Sequence, residues 1–297
     1  MTVLTAEEKT HLTALAEAIP NEGLRSNALS LIERMEAVIE GIGDRPITWQ
    51  PTILKVLQSM SNMDNVTEGD GGAPVAAGSL VAGNQTVPNG LPVIPLCLWQ
   101  SRSLWDPDTD NVKRLCSSPD AKIGWAHGSC YECSFGTSKE EGKAPACNKE
   151  YSFLVIAADL SDIFRITFAQ SQYKSGMDWQ KEISYTRTHP YKRVYAVRGD
   201  SSAKNKKVKE IRASLLGNTN GQEFFSEEYM AFLEALYLKQ THDRKQSLID
   251  YHANYEKRLL LRADGDSGHG IEDHSGGENH GGNGADEVAT ASGDYAF

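Results

Sequence analysis

Hydrophobic residues recur at helical spacing through the N-terminal part of the chain. The first apolar series follows a capping-box pattern formed by Thr5 and Glu8, and Pro20 ends that helix. A second amphipathic series ends before a pair of glycines, and Pro51 is suited to the first turn of a short third helix. The pattern therefore predicts a helical N-terminal region over residues 1–61.

The apolar period changes further along the chain. Residues 62–90 are rich in Gly, Asn and Ala, which is typical of a linker or of an ordered surface loop. Tyr151–Ile156 is a nearly continuous apolar run, and Phe164–Phe168 alternates between apolar and polar residues as strands do. Short strands of this kind, followed by a helix, predict an α+β fold with an OB-like small β-barrel over residues 91–221. Another α+β arrangement of the same strands fits the pattern as well.

The C-terminal part of the sequence combines a helix with an acidic tail. Ser226 can cap a long helix, which we predict over residues 222–262. Residues 263–297 are rich in Gly and contain eight acids but no Lys or Arg. Such a composition buries too little apolar surface to offset the entropy of ordering, so we expect a disordered acidic tail.

Charge is distributed unevenly along the chain. The formal net charge is -10, yet the stretch from Arg165 to Leu215 holds twelve bases against four acids. A basic block between acidic ends is suited to a polyanion that competes with the chain's own acids. No apolar run reaches the roughly 18 residues of a transmembrane helix, and the N-terminus lacks the features of a signal peptide. We therefore expect a cytoplasmic protein with reduced thiols.

Four of the five cysteines have the spacing C-x13-C-x2-C-x13-C. In a reduced compartment this spacing predicts one structural Zn2+ per chain rather than disulfides, because four thiolates form a closed tetrahedral site. His127 can replace one cysteine as a ligand, and four unrelated thiols are the remaining alternative. Cys97 lies in an apolar run and is predicted to be a core residue. The predicted zinc ligands are Cys116, Cys130, Cys133 and Cys147.

The sequence contains none of the common motifs that would indicate a catalytic role for a bound metal or for a nucleophile. His127 is not part of the H-x-E motif of zinc deaminases, and the P-loop and G-x-S-x-G motifs are also missing. Asp106, Asp108 and Asp110 form a polar loop that can bind a hard cation, although a solvated turn explains them better. We therefore expect no enzymatic activity, and a nuclease or recombinase accessory role through this loop is the third hypothesis.

Aromatic and basic residues alternate through the basic block and upstream of it. Cations track phosphates while unpaired bases stack on aromatic rings, so this interleaving predicts a groove for single-stranded DNA without sequence preference. For any one aromatic residue the alternative is a place in the core. The predicted DNA-binding residues are Trp99, Arg102, Trp105, Arg165, Tyr173, Lys174, Trp179, Lys181, Tyr185, Arg187, Tyr191, Lys192, Arg193, Arg198, Lys204, Lys206, Lys207 and Lys209.

The cysteine block is part of a longer motif. C-x-x-C is followed by Phe135-Gly136-Thr137, then by Gly142-Lys143, and then by a last cysteine ahead of an apolar strand. This motif resembles phage-encoded single-stranded-DNA-binding proteins, and the resemblance covers about residues 92–220. The chain departs from the family pattern where Ala144-Pro145-Ala146 separates the lysine from the cysteine, since the family usually has Gly-Lys-Ala-Cys.

The tail carries a second resemblance. An acidic, glycine-rich leash that ends in Asp294, Tyr295, Ala296 and Phe297 is similar to the tails of bacterial and phage single-stranded-DNA-binding proteins. The two resemblances imply a protein of a phage replication, recombination and repair module, in the host bacterial cytoplasm. It would coat single-stranded DNA, self-associate there and recruit replication proteins through these four residues. The alternative is a zinc-stabilised structural or adaptor protein that binds protein or RNA.

Overall fold

The structure is a computed structural model that describes residues 4–36, 38–39, 47–48, 50–58, 75–106, 113–137, 145–201, 208–218 and 225–265. It has a mixed α+β fold, as the sequence predicts, and two compact units, residues 1–245 and 246–297, whose boundary lies within the last helix. The helices are α1 (Ala6–Ala18), α2 (Glu22–Glu36), α3 (Tyr173–Tyr185) and α4 (Glu227–Gly265). The strands are β1 (Val38–Ile39), β2 (Ile47–Thr48), β3 (Thr52–Val56), β4 (Leu80–Ala82), β5 (Gln85–Val87), β6 (Leu91–Trp105), β7 (Arg114–Ser118), β8 (Ile123–Gly124), β9 (Gly128–Ser129), β10 (Cys147–Ala157), β11 (Ile163–Ala169), β12 (Arg193–Ser201) and β13 (Lys209–Asn218).

The two N-terminal helices begin where the sequence predicts. In the capping box of α1, the Glu8 amide donates to Thr5 Oγ1 at 3.2 Å and the Thr5 amide donates to Glu8 Oε2 at 2.8 Å. The Asn21 side chain caps α2 by accepting from the Leu24 amide at 3.0 Å. Lys239 of α4 donates to Glu8 at 3.1 Å and so holds α4 against α1. The described part of the chain contains no helix both long and apolar enough to cross a membrane.

Nine strands form one large sheet. Its hydrogen-bonding order is β13-β12-β6-β10-β11-β3-β4-β5, and β7 pairs with the end of β6. β11 and β3 run parallel, whereas the other described pairs of this sheet are antiparallel. The long strands β6 and β10 pair from Val93 with Ala157 to Leu104 with Cys147. This pair therefore links the centre of the sheet to the segment that carries the cysteines.

The sheet curls into a half-barrel because its distant strands β13 and β3 approach each other. The Gln58 side chain donates to the Lys209 carbonyl at 2.7 Å and accepts from the Lys209 amide at 2.9 Å. Nearby, a Cβ atom on Gly199 would lie 1.9 Å from the Gly78 carbonyl oxygen, so this close backbone approach requires glycine. We call this junction between β13 and the end of β3 the seam. Here the side-chain amide of Gln58 makes the hydrogen bonds that strand pairing would otherwise make.

Two apolar cores lie on opposite faces of the sheet. The inner core fills the half-barrel, where Trp179 of α3 stacks on Phe153 with ring centres 4.3 Å apart. The outer core lies beneath α1, α2 and the first part of α4, and the Tyr229 hydroxyl there donates to the Ala158 carbonyl at 2.7 Å. Because successive strand residues face opposite sides, β10 contributes Phe153 to the inner core and Leu154 to the outer one.

The structure differs from the sequence prediction ahead of the barrel. Pro51 does not begin a helix, because the residues that follow it are mostly β-branched and form β3 with alternate residues buried. Part of the predicted linker, residues 62–90, belongs to the sheet. Gly83, with a φ of 61°, and Asn84 make a two-residue turn between β4 and β5. Leu80 and Val81 are buried there, which a linker would not require.

Candidate nucleic-acid interface

Beyond the outer core, the same face of the sheet carries polar side chains. On this face, Leu154 of the outer core pairs with Arg165. Two residues earlier on β10, Ser152 pairs with Thr167, and their hydroxyl oxygens are 3.2 Å apart. The next outward residue of β10 is Glu150, which accepts from a β6 hydroxyl at 3.4 Å. We call the resulting surface the outer polar face. It consists of Ser101, Trp105, Arg114, Glu150, Ser152, Arg165 and Thr167.

Two arginines determine the charge of the outer polar face. The Arg114 Cζ atom lies 4.7 Å from the ring centre of Trp105. Burial and the nearby charge of Arg114 lower the pKa of Arg165, and Glu150 acts in the opposite direction. The two guanidiniums therefore lie near enough to repel each other, with Glu150 as the nearby negative charge, and an anion on this face would interact favourably with both of them. A phosphate supplies such a charge, and Trp105 offers an aromatic surface beside it.

Two other predicted residues of β6 have packing contacts instead. Trp99 is half-buried beside the outer core, and the Arg244 Cζ atom lies 4.9 Å from its ring centre. Arg102 is buried on the opposite side of the strand, where its Nη1 donates to the Gly136 carbonyl at 3.3 Å. Arg102 therefore holds the segment around Gly136 in place.

The predicted DNA-binding residues of α3 divide between core and surface. Trp179 is 2% exposed and belongs to the inner core. Tyr173 is half-buried and donates to the Tyr151 hydroxyl at 3.5 Å, and burial, followed by this hydrogen bond, raises the pKa of Tyr173 to about 12. The solvent-exposed residues of this set are Lys174, Lys181 and Tyr185.

The residues after α3 divide in the same way. Tyr191 is buried in the outer core, and burial raises its pKa to about 12. The Lys192 ammonium lies 5.9 Å from the Tyr191 ring centre. Arg193 is half-buried at the start of β12, and Arg187 is exposed. Tyr191 therefore presents no open ring face to a base in this arrangement.

The last predicted cations lie at the β12–β13 hairpin. Arg198 is exposed on β12, and the Lys209 ammonium donates to Ser201 Oγ at 2.9 Å. In the acidic loop, the amide of Asp106 donates to the Lys113 carbonyl at 2.8 Å. Several predicted residues lie outside the described part of the chain: Lys204, Lys206, Lys207, Asp108, Asp110, Asp294, Tyr295, Ala296 and Phe297.

The cysteines lie at the far end of the β6–β10 pair. We call residues 113–137, together with Leu104 and Cys147 that complete their interior, the cysteine module; its β7 pairs with β6, and β8 and β9 form a small hairpin. A cavity of about 10 Å³ has several polar and sulfur-bearing side chains in its wall, with Arg102 and His127 among them. The thiols that line it are those of Cys116, Cys130, Cys133 and Cys147.

The prediction of a zinc site formed by these four cysteines is wrong. Within the described ranges, no group of three or more His, Cys, Asp or Glu side chains is placed to hold a metal ion. Burial raises the pKa of Cys147 to about 11 and also raises that of Cys130, which favours the neutral thiol over the thiolate. Leu104 packs between Cys116 and Cys147 in a small apolar cluster. The buried thiols thus act as small apolar residues.

His127 and Cys97 are the two other residues that bear on the predicted zinc site. The His127 ring, the alternative ligand, has its centre 5.1 Å from that of Phe135 and lies against it. Cys97 packs against the outer core, as the sequence predicts, and burial raises its pKa. The five cysteines therefore do not form one cluster.

Sequence reasoning missed three aromatic residues of the cysteine module. Trp125, Tyr131 and Phe135 are 40%, 72% and 41% exposed. They lie in a segment rich in Gly, Ser and Cys without any apolar period. Aromatic residues in such a turn-rich segment have no predicted strand or helix face to bury them. This feature of the sequence could have identified them as surface residues.

The outer polar face and the cysteine module adjoin through β7, which contributes Arg114 to one and most of its length to the other. Together they present cations and aromatic surfaces, which suit a ligand that carries both phosphates and planar bases. No protein-family model matches this chain, and no curated protein and no solved structure is significantly similar to it.

Proposed function

We propose that this protein binds single-stranded DNA without sequence preference, through the outer polar face of an OB-type barrel. The observation that carries the proposal is the pair of arginines 114 and 165 on the outer polar face, with Trp105 stacked against the first of them. Nonspecific binding of a single strand needs cations for phosphates and aromatic surfaces for bases, and both are present there.

The strand order supports an OB-type core. Five long strands occur along the chain in the order β6, β10, β11, β12 and β13, with the short strands β7–β9 between the first two. α3 lies between the third and the fourth of these long strands. The first strand pairs with the second and the fourth, the second with the third, and the fourth with the fifth, as in an OB barrel. An OB barrel closes by pairing its third strand with its fifth. Here β3 is inserted at that position, parallel to β11.

The proposed binding surface agrees with this correspondence. OB barrels bind oligonucleotides across their second and third strands and with the loops that follow the first and the fourth strand. Glu150, Ser152, Arg165 and Thr167 lie on the corresponding strands β10 and β11. The cysteine module follows the first strand, and the lysine-rich residues 202–208 follow the fourth.

The acidic residues 263–297 would then compete with DNA for the cationic surface, and residues 294–297 would recruit replication proteins. A segment of about 35 residues with the disorder that its composition predicts would have a root-mean-square reach of roughly 30–35 Å, which suffices to return to a small domain. The eight acids of this segment match the charge of the basic block between Arg165 and Leu215. The tail therefore regulates access, whereas the barrel provides the binding surface.

The test is an anisotropy titration of labelled oligo(dT), an RNA oligonucleotide of the same length and duplex DNA at several salt concentrations. The protein should prefer oligo(dT). The logarithm of its association constant should fall linearly with the logarithm of the salt concentration, with a slope of about −0.7 per phosphate contact. Arg114→Ala should make this slope shallower by about one contact. Lys181→Ala on exposed α3 removes an equal charge elsewhere and should leave the slope unchanged. Failure to bind oligo(dT), or equal affinity for duplex DNA, would contradict the proposal, and preference for RNA would favour the adaptor alternative.

A further inference from the structure

The cysteine module keeps its large aromatic side chains at the surface. Elsewhere many large rings are buried, such as Phe153 and Tyr195 in the inner core, although Tyr185 is exposed on α3. In the module, Trp125, Tyr131 and Phe135 are exposed, while the interior is a cavity of about 10 Å³ lined by thiols. The wall of this cavity includes Phe135, whose ring also lies against that of His127, whereas Trp125 and Tyr131 do not line it and contribute little to the module's own core.

Backbone hydrogen bonds fix the positions from which these rings project. The turn between β8 and β9 holds Trp125, whose amide donates to the Ser117 carbonyl at 3.1 Å. The Phe135 carbonyl accepts from the Cys147 amide at 2.9 Å, which ties that residue to β10. Tyr131 follows Cys130, whose amide donates to the Lys122 carbonyl at 2.7 Å. Little ordering entropy is therefore left to be lost when a ligand binds.

The charges around the rings suit an anionic ligand. Lys113, Arg114 and Lys122 are exposed in the same module. The Asp120 carboxylate turns toward its own loop, where it accepts from the Ser118 hydroxyl at 3.1 Å and from the Lys122 amide at 2.9 Å. The three cations thus face solvent while Asp120 is engaged in the turn, and Glu132 is the one exposed acid of the module, so the module's charge (three cations and two acids) stays positive by one unit.

We propose that the cysteine module is a base-stacking platform for single-stranded DNA, with unpaired bases stacked on Trp125, Tyr131 and Phe135. The inference rests on the proposed function and assigns the stacking residues of the same interface. Phosphates would lie along Arg114 and the outer polar face, and the strand would continue across β7 onto the module. The stacking surface is therefore distinct from Trp179, Tyr191 and Tyr185, which the sequence pattern favours.

The experiment measures oligo(dT) affinity for Trp125→Ala, Tyr131→Ala and Phe135→Ala. Each should lose about fivefold to a hundredfold in affinity, because stacking of one base is typically worth about that much in alanine substitutions. The salt dependence should keep the parent slope, since stacking releases no counterions. Trp125→Phe should recover most of the affinity, because it keeps a ring without keeping the indole N–H. Quenching of tryptophan fluorescence by oligo(dT) should be reduced in Trp125→Ala.

Tyr185→Ala is the matched control, since Tyr185 is 81% exposed on α3 and lies outside the module. It should bind like the parent, and all variants should melt like the parent. If the parent binds oligo(dT) and the three module variants bind as tightly, the stacking inference is wrong and the proposed function stands. If the parent does not bind, both fail. Unchanged DNA affinity together with lost self-association in sedimentation would identify the platform as a contact between copies, which also overturns the inference.

Discussion

The half-barrel and the cysteine module solve the problem of a hydrophobic interior in opposite ways. The half-barrel buries large rings against one another: Trp179 stacks on Phe153, and Phe168 meets the same indole edge to face. The module fills its interior mainly with small thiols and a leucine, and it holds Trp125 and Tyr131 at the surface, while Phe135 is only partly exposed at the cavity wall. Aromatic residues therefore contribute to stability in one region and are available to a ligand in the other.

This difference shows that the residue type alone does not reveal the role of an aromatic side chain. An aromatic pair contributes about 0.5–1.5 kcal/mol beyond its buried area when it is packed. The same ring at the surface offers a stacking face to a base at similar energy. What decides between the two roles is the space available beneath the ring. Substitutions that probe each interior should therefore separate folding effects from binding effects.

The largest effect is expected for Trp179→Ala in the half-barrel. Loss of a buried indole should lower the free energy of unfolding by about 3–5 kcal/mol, because it leaves a large cavity beside Phe153. Urea denaturation measures this change. Tyr185→Ala, on the exposed side of the same helix, should stay within about 0.5 kcal/mol of the parent. Equal stability of the two variants would mean that α3 does not complete the inner core.

A smaller effect is expected for Gly136→Ala in the cysteine module. A Cβ atom there would lie 2.5 Å from Arg102 Nη1 and 2.8 Å from the Cys130 carbonyl oxygen. The backbone must shift, which should cost about 1–3 kcal/mol in the free energy of unfolding. Gly23→Ala in the first turn of α2 meets only Asn21 Oδ1 at 3.4 Å and should be neutral or stabilising. A stable Gly136 variant would show that the module's interior is loosely packed.

Gln58→Ala tests the seam of the half-barrel. The substitution removes both hydrogen bonds to the Lys209 backbone and should cost about 1–2 kcal/mol, measured by urea denaturation. Gln85→Ala on β5 removes an exposed amide and should have no measurable effect. A Gln58 variant as stable as the parent would contradict the view that this side chain closes the sheet.

The smallest effect concerns the thiols of the module and their response to pH. Burial raises the pKa of Cys147 from 9.0 to about 11. The unfolded chain therefore loses this proton first as the pH rises, so the contribution of Cys147 to stability is intact below pH 9 and is lost between about pH 9 and 11. The melting temperature of the parent should fall more steeply over this range than that of Cys147→Ala. If the melting temperatures of the parent and of Cys147→Ala fall by the same amount between about pH 9 and 11, the raised pKa of Cys147 is contradicted.

The predictable parts of the fold are those that local sequence determines. The capping box of Thr5 and Glu8 involves residues three positions apart, and it begins α1 as expected. The strand Phe164–Phe168 alternates in sequence and lies within β11, with Phe164, Ile166 and Phe168 on the inner side. In these cases the pattern and the packing depend on the same few neighbouring residues.

The parts that escaped prediction depend on partners far along the chain. α3 buries only Gly176, Trp179 and Ile183, so its apolar stripe is too narrow to be recognised among polar and basic residues. The burial of Trp179 on α3 depends on Phe153, which lies on strand β10. Cysteine spacing likewise does not distinguish a metal site from a cavity lined by free cysteines, because the difference lies in how the sulfur atoms are oriented.

The insertion of β3 has a consequence for the order in which the chain folds. Gln58 and Lys209 are 151 positions apart, and Gln172, just before α3, contributes a further contact to the seam by accepting from the Ile211 amide at 3.3 Å. The cost of closing so long a loop must be met before its contacts form, so closure should be the slow step. During synthesis the seam then stays open, and the edge of β12 stays unpaired, until β13 has emerged. A pause before that point would leave an open strand edge on which neighbouring nascent chains could pair.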